Sequence, residues 1–369
     1  MIIYTIVIFF IVLGVLVFVH ELGHFVVARF FGIRVDEFAI GFGPKIWSRF
    51  GREKNGLRVL YSVRALPLGG FVKIYGEDGE AGSNSFAGKN RGIQVLVLFA
   101  GIFFNFLFAW LILSGLFMIG EPVSPDSYPQ YASSIQNTHV IVDDVVSGSP
   151  AEKAGLKAND TIKTISALAT ASTSVSIIIQ NPTIEQIQGI TAASNGKPIL
   201  INGISVTPVM KIIPDASSTY AIGIDMETAG TLRLPPWSAF WEGGKFTVYI
   251  VQATAEGAWG LIVGLFHDNQ AVLSQVSGPV GIASLIGQAA QVGFVNLLML
   301  VALISVNLGV INFIPFPALD GGRILFVLIE TIIRRPMKAS AMNMVNTIGY
   351  GLLIILMIVV TWHDIATRL

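Results

Sequence analysis

The chain of 369 residues has no cysteine. Disulfides, thiolate nucleophiles and cysteine-type zinc sites are therefore excluded, and any metal must be held by His, Asp or Glu. Charge is scarce: only 12% of residues are charged, and 23 basic side chains balance 23 acidic ones. With the basic residues scattered, no nucleic-acid groove or polybasic tail is expected, and nucleic acid is not an expected partner. A basic leader region is also missing, because the first basic residue is Arg29 and the opening apolar run outlasts a signal peptide. That run reads as a retained span. No internal repeat is visible. What the chain has in abundance is apolar side chains, 53% of residues with a mean hydropathy of +0.69. Such a balance is too apolar for a soluble enzyme of this length and predicts a multi-pass α-helical membrane protein.

Four stretches, about 3 to 31, 93 to 119, 294 to 314 and 343 to 361, are long enough to cross a bilayer, which takes roughly 20 helical residues. Basic residues from Arg34 to Arg91 crowd the loop after the first span, and Arg323, Arg334, Arg335 and Lys338 follow the third. The excess of Lys and Arg makes both loops cytoplasmic, so both termini and the segment from about 120 to 290 are expected outside. A fifth apolar stretch, Phe246 to Phe266, carries Gln252 and Glu256. Were it a span, the Arg334, Arg335 and Lys338 loop would lie outside, so it reads as an amphipathic helix on the outer leaflet. Residues 57 to 76 alternate in part and contain a Pro-Leu-Gly-Gly break, which predicts a β-hairpin or meander. Residues 139 to 229 read as a small α/β module with a helix near Thr183 to Ala193. The expected division is thus 1–119, 120–235, 236–290 and 291–369, with the β element inside the first part.

The first span contains His20-Glu21-Leu22-Gly23-His24. This spacing on a helix puts two imidazoles one turn apart on one face, as two metal ligands require. Glu21 stands beside them as a candidate general base, suited to take a proton from water whose pKa a bound zinc lowers to about 7. A chance motif or a structural histidine pair is the alternative. Charged groups within a bilayer cost on the order of 2.5 to 3.5 kcal/mol each, so three in five positions call for a compensating partner, and a metal supplies one. Catalytic zinc usually has three protein ligands, and the candidate for the third is Asp320, after the helix-breaking Pro315, Pro317 and before Gly321-Gly322. Alone, Asp320 reads equally well as a loop carboxylate; the histidine motif tips the balance. By the topology above, both motifs lie toward the cytoplasmic ends of their spans, with His20 roughly 16 Å along the helix from Phe31. The cut is then expected inside the membrane.

Five motifs follow in order along the chain: HELGH at 20–24, the stretch from Phe38 through GFGPKIW, LPLGGFVKIYGE at 66–77, SGPVGIA at 277–283 and NFIPFPALDGG at 312–322. Together they resemble the site-2 proteases, and within them the bacterial regulated intramembrane metalloproteases with an outward-facing PDZ domain. The resemblance implies one zinc ion on His20, His24 and Asp320, with Glu21 catalytic. It implies substrate contacts from Asn312 and Pro315, and from Gly70 and Phe71 in a membrane-dipping β element that pairs with an unwound substrate. A helical substrate hides its peptide bonds, and an exposed strand edge offers a template to hold it extended. Implied substrates are single-span membrane proteins such as tethered anti-sigma factors or remnant signal peptides. Two positions depart from the pattern: Ile102 replaces the usual Pro after Ala100-Gly101, with Asn105 retained, and Arg323 stands where many relatives have His. Only local helix geometry is expected to differ.

Ser147-Gly148-Ser149-Pro150-Ala151-Glu152-Lys153-Ala154-Gly155-Leu156 and Asn159-Asp160 resemble the bacterial PDZ signature, which makes 120–235 a PDZ-like domain that either binds extended peptide ends or excludes bulky substrates by size. Size exclusion with weak peptide binding is favoured, because Asn159 replaces the usual Gly and residues 167–181 are rich in Ser, Thr and Ile. His139, His267 and His363 read as solvated surface residues, and Trp237, Trp241, Trp259 and Trp362 as interfacial anchors. Two other functions compete: a metal-binding membrane scaffold or transporter, which does not need Glu21, and a membrane protease of prenylated or soluble termini, which has neither the Asp-Gly-Gly motif nor the outer module.

Overall fold

The computed structural model describes residues 2–51, 58–77, 82, 84–167, 177–210, 220–265, 278–335, 337 and 339–366. Arg52, Lys54, His267, Lys338 and residues 168–176 of the Ser/Thr/Ile-rich stretch lie outside them. The chain forms two compact units, Met1–Leu116 with Ser238–Leu369, and Phe117–Trp237.

The first unit opens with α1 (Ile2–Phe30), in which Glu21 is the sole acid and Arg29 the sole base. Strands β1 (Val35–Phe50) and β2 (Leu60–Ile74) follow, then α2 (Arg91–Ile119). The sheet is larger than residues 57–76, since β1 precedes that stretch. Its Gly, Pro and Lys interrupt the alternation by which a strand is recognised. Ala39 pairs with both Phe71 and Ser62, and Ile40 with both Gly70 and Val63, so the first half of β1 lies between two arms of β2. The Gly70–Ile74 arm has β1 on one edge and no strand on the other among the described residues. A core of Ala28, Val35, Phe38, Val72, Ile74, Val97, Leu98 and Val327 binds the sheet to the surrounding helices. At about 1.5–3 kcal/mol for each large aliphatic or aromatic side chain removed from water, this packing fixes where the free arm lies.

The second unit holds β3 (Glu121–Val123), β4 (Ile135–Val145), the short helix α3 (Pro150–Ala154), β5 (Thr161–Ile162), β6 (Thr164–Ala167), β7 (Ile177–Gln180), α4 (Ile184–Ala193), β8 (Ile199–Ile201), β9 (Ile204–Val206), β10 (Val209–Met210), β11 (Tyr220–Ala221) and β12 (Ile224–Leu232). Two four-stranded sheets, ordered β3-β12-β4-β5 and β7-β6-β8-β9, enclose a core of Val140, Val142, Ile162, Ile165, Ile187, Ile199 and Ile201. Local chemistry sets the helix ends. Ser149 caps α3, and Thr183 with Gln186 forms a reciprocal capping box at α4.

The first unit resumes with α5 (Pro236–Leu265), α6 (Pro279–Val292), α7 (Phe294–Phe313), α8 (Asp320–Ile333) and α9 (Ala339–Ala366). Among the described residues four helices, α1, α2, α7 and α9, are long and apolar enough to cross a membrane. Helix α5 is not one of the four, and it begins at Pro236 rather than Phe246. It packs on α2 and α7, with Ile250 in a core with Ala109, Leu113 and Val306. Polar links reinforce that contact: Trp110 Nε1 donates to Phe240 O at 2.7 Å, and Thr254 Oγ1 donates to Asn307 Oδ1 at 2.9 Å. Asp364 near the end of α9 accepts from the Gly281 N–H at 2.8 Å, closing the first turn of α6.

Candidate metal centre

Helix α1 carries His20 and His24 on one face, their rings 4.8 Å apart between centroids. Asp320 reaches them from a different part of the chain. Helix α7 ends at Phe313, the segment with Pro315 and Pro317 turns, and α8 starts at Asp320. Gly321 makes that turn possible, because a Cβ there would sit 2.3 Å from Phe313 O. His20 Nε2 lies 3.2 Å from His24 Nε2, and Asp320 Oδ2 lies 3.0 Å from the first and 3.3 Å from the second.

These separations suit a shared cation. Tetrahedral bonds of about 2.0 Å place neighbouring ligand atoms about 3.3 Å apart. Both imidazoles are 8% exposed, and Asp320 Oδ2 is buried without a hydrogen bond of acceptable angle despite its nearness to both rings. A carboxylate oxygen left this way is costly, and a metal ion would remove the cost. Among the described residues this is the one group of three or more such side chains that could hold a metal ion. His139 and His363 are half-buried and belong to no such group. The donor set of two imidazoles and one carboxylate is a zinc set, and a fourth position is left for water or substrate.

Helix α2 forms the back of the centre. A Cβ on Gly101 would lie 2.4 Å from His24 Nε2 and 2.8 Å from His20 Cε1, so only glycine lets α2 approach so closely. His24 Nδ1 is 2.8 Å from Val97 O, and Asn105 Nδ2 is 3.1 Å from His20 Nδ1.

A cavity of about 560 Å³ opens beside the three ligand atoms. Glu21, Gly70, Phe71, Val72 and Asn312 line it. Glu21 and Val72 line the same cavity, so the free arm of β2 and the candidate base face one space. Pro315 is exposed and does not line this cavity.

Several lining residues escaped the sequence reading. Arg323, noted in the sequence only as a departure from the pattern, pairs with Glu77 and joins α8 to the turn after β2 at the cavity wall. Asn343, Asn346, Thr347 and Tyr350 of α9 form another wall. Their spacing of three, four and seven residues was a legible signal, a polar stripe on an otherwise apolar helix. Asn346 Oδ1 also accepts from the Ala318 N–H at 3.3 Å, bracing the turn ahead of Asp320.

A family model described as peptidase family M50 matches residues 8–356. The chain is 30% identical over 450 aligned residues to the zinc metalloprotease RasP of Oceanobacillus iheyensis, with 98% of each protein covered. It is 29% identical over 449 residues to the protein of the same name in Geobacillus kaustophilus, covering 98% of this chain and 97% of that one. It is also 29% identical over 445 residues to the regulator of sigma-W protease RasP of Bacillus subtilis, with 98% of each covered.

Proposed function

The chain belongs to peptidase family M50, and from that premise we propose how its own residues carry out the reaction. It is a multi-pass membrane protein and a zinc metalloprotease of the site-2 type, which cleaves membrane-protein substrates within the bilayer. The two imidazoles of His20 and His24 and the Asp320 carboxylate hold the zinc. Bound there, zinc would act as a Lewis acid at the scissile carbonyl and make water easier to deprotonate. Glu21 takes the proton of the attacking water on its carboxylate and hands it to the leaving amide nitrogen. The Gly70–Ile74 arm holds the substrate extended by adding it as a further strand along the cavity that Glu21 also lines. Gly70, Phe71 and Asn312 touch the substrate there, while Pro315 shapes the turn that presents Asp320.

The convergence of His20 Nε2, His24 Nε2 and Asp320 Oδ2 within 3.0–3.3 Å, with Glu21 lining the same cavity, carries this reading. The scaffold or transporter alternative gains nothing from a site that keeps a carboxylate beside the ligand cluster. The charge pattern supports cytoplasmic loops at Arg34–Arg91 and Arg323–Lys338, the unit Phe117–Trp237 outside, and the centre in the cytoplasmic half of the bilayer. A PDZ-like role for that unit is supported by its Ser149-capped helix and its two short sheets, and we assign it to excluding bulky, untrimmed substrates. Single-span proteins remain the substrates that fit. The test is Glu21→Gln against a tagged single-span substrate in proteoliposomes. Cleavage should fall about 10²- to 10⁴-fold while one zinc per chain is kept. Undiminished cleavage rejects the assignment.

A further inference from the structure

Asn105 is 0% exposed in the middle of an apolar helix, a costly place for an amide unless it is paired. Its backbone carbonyl accepts from Ser305 Oγ at 2.8 Å, which ties this turn of α2 to α7. Its side chain has one hydrogen-bond partner, His20 Nδ1 across 3.1 Å, and its Oδ1 is buried with none.

The two histidines differ in what their Nδ1 atoms meet. His24 Nδ1 faces the Val97 carbonyl at 2.8 Å. A carbonyl only accepts, so Nδ1 carries the proton and Nε2 keeps its lone pair for a metal. His20 faces an amide, which offers a donor or an acceptor. With Nδ2 turned toward it, His20 Nδ1 must accept, the ring proton sits on Nε2, and that nitrogen can donate to Asp320 but cannot ligate. Turned end for end, the same amide presents Oδ1, accepts from Nδ1–H, and frees the Nε2 lone pair. The shape of the side chain does not change, and its far atom has no protein partner in the present orientation. The gain therefore arises at His20.

We propose that Asn105 is the positioning residue for His20: its amide oxygen, accepting from Nδ1–H, fixes the tautomer whose Nε2 can ligate a cation. The inference rests on His20 being a zinc ligand. It makes the amide the outer hydrogen-bond partner of that histidine, as the Val97 carbonyl is for His24. Helix α2 thereby supplies both outer partners from residues eight apart, two turns along one face, with Gly101 midway between them.

The test is zinc affinity of the full-length protein in detergent, by competition with a chromogenic chelator. Asn105→Leu and Asn105→Ala remove the acceptor, and each should weaken binding about 10- to 100-fold. Asn105→Asp keeps an acceptor in place and should stay within about threefold of the unaltered protein, a rescue that a space-filling role does not predict. If the Leu variant does not fold, the Ala variant decides. His20→Ala is the control for the underlying assignment. Retained zinc in that control overturns the ligand set itself. Lost zinc in the control, with unaltered affinity in Asn105→Leu and Asn105→Ala, or an Asp variant as weak as they are, overturns the role of Asn105 alone.

Discussion

Individual side chains in this protein are constrained most where α2 passes the two imidazoles. Gly101 has no room for even one methyl group, since a Cβ would lie 2.4 Å from His24 Nε2, inside van der Waals contact. Gly101→Ala must therefore push α2 off α1 or swing the ring away. We expect a loss of about 1–3 kcal/mol of stability from overpacking, with zinc and proteolysis lost together. Thermal unfolding and metal content of the purified variant check this, and a variant that keeps its zinc contradicts the packing argument. The histidine motif was legible from spacing alone because a helix repeats every 3.6 residues. Gly101 and Asn105 were visible only as part of a resembling pattern, since their work depends on which helix lies opposite.

Secondary-structure elements show a different balance. The four apolar helices emerge within a few residues of where hydropathy places them, because length and apolarity are local properties. Strand β1 and helix α6 were not read as elements. Both depend on partners distant in sequence, β1 lying between the arms of β2 and α6 closed by Asp364. Strand β3 has a feature of its own. Glu121 is buried, its Oε2 has no hydrogen-bond partner, and burial pushes its carboxyl up to about 7. An acid that is harder to ionise when folded keeps its proton in the native state after the unfolded chain has lost it. Stability is then undiminished below about pH 4.5, falls as pH rises toward 7, and levels off above that. Hydrogen exchange at Val123, which pairs with Gly230 of β12, should therefore accelerate between pH 5 and 8 beyond its intrinsic rate. Glu121→Gln should remove that excess, and an unchanged pH response would show that the carboxyl does not govern the strand.

For the molecule as a whole, the two units have separate cores, one joining the sheet to the surrounding helices and one between the two small sheets. The three ligand atoms all belong to the first unit. Stripping zinc should therefore lower the unfolding temperature of that unit while the Phe117–Trp237 unit keeps its own. Binding at 100 times the dissociation constant stabilises by about 2.7 kcal/mol, so the shift is measurable. Differential scanning fluorimetry with and without a chelator, with the outer unit followed by limited proteolysis, tests it. Equal shifts in both units would mean that they unfold as one.

Composition and spacing were enough to establish a membrane protein, the four helices among the described residues that are long and apolar enough to cross a bilayer, a histidine pair one helical turn apart and a carboxylate after a broken helix. Each of these is written in residues close together along the chain, where periodicity and apolar length act directly. Folding alone decided that Asp320 comes within 3.3 Å of residues some three hundred positions earlier, that Gly70–Ile74 keeps an open edge beside Glu21, and that Glu77 meets Arg323. Those contacts depend on how the first helix, the sheet and the helices α2 and α8 share one core, and no local pattern encodes that packing.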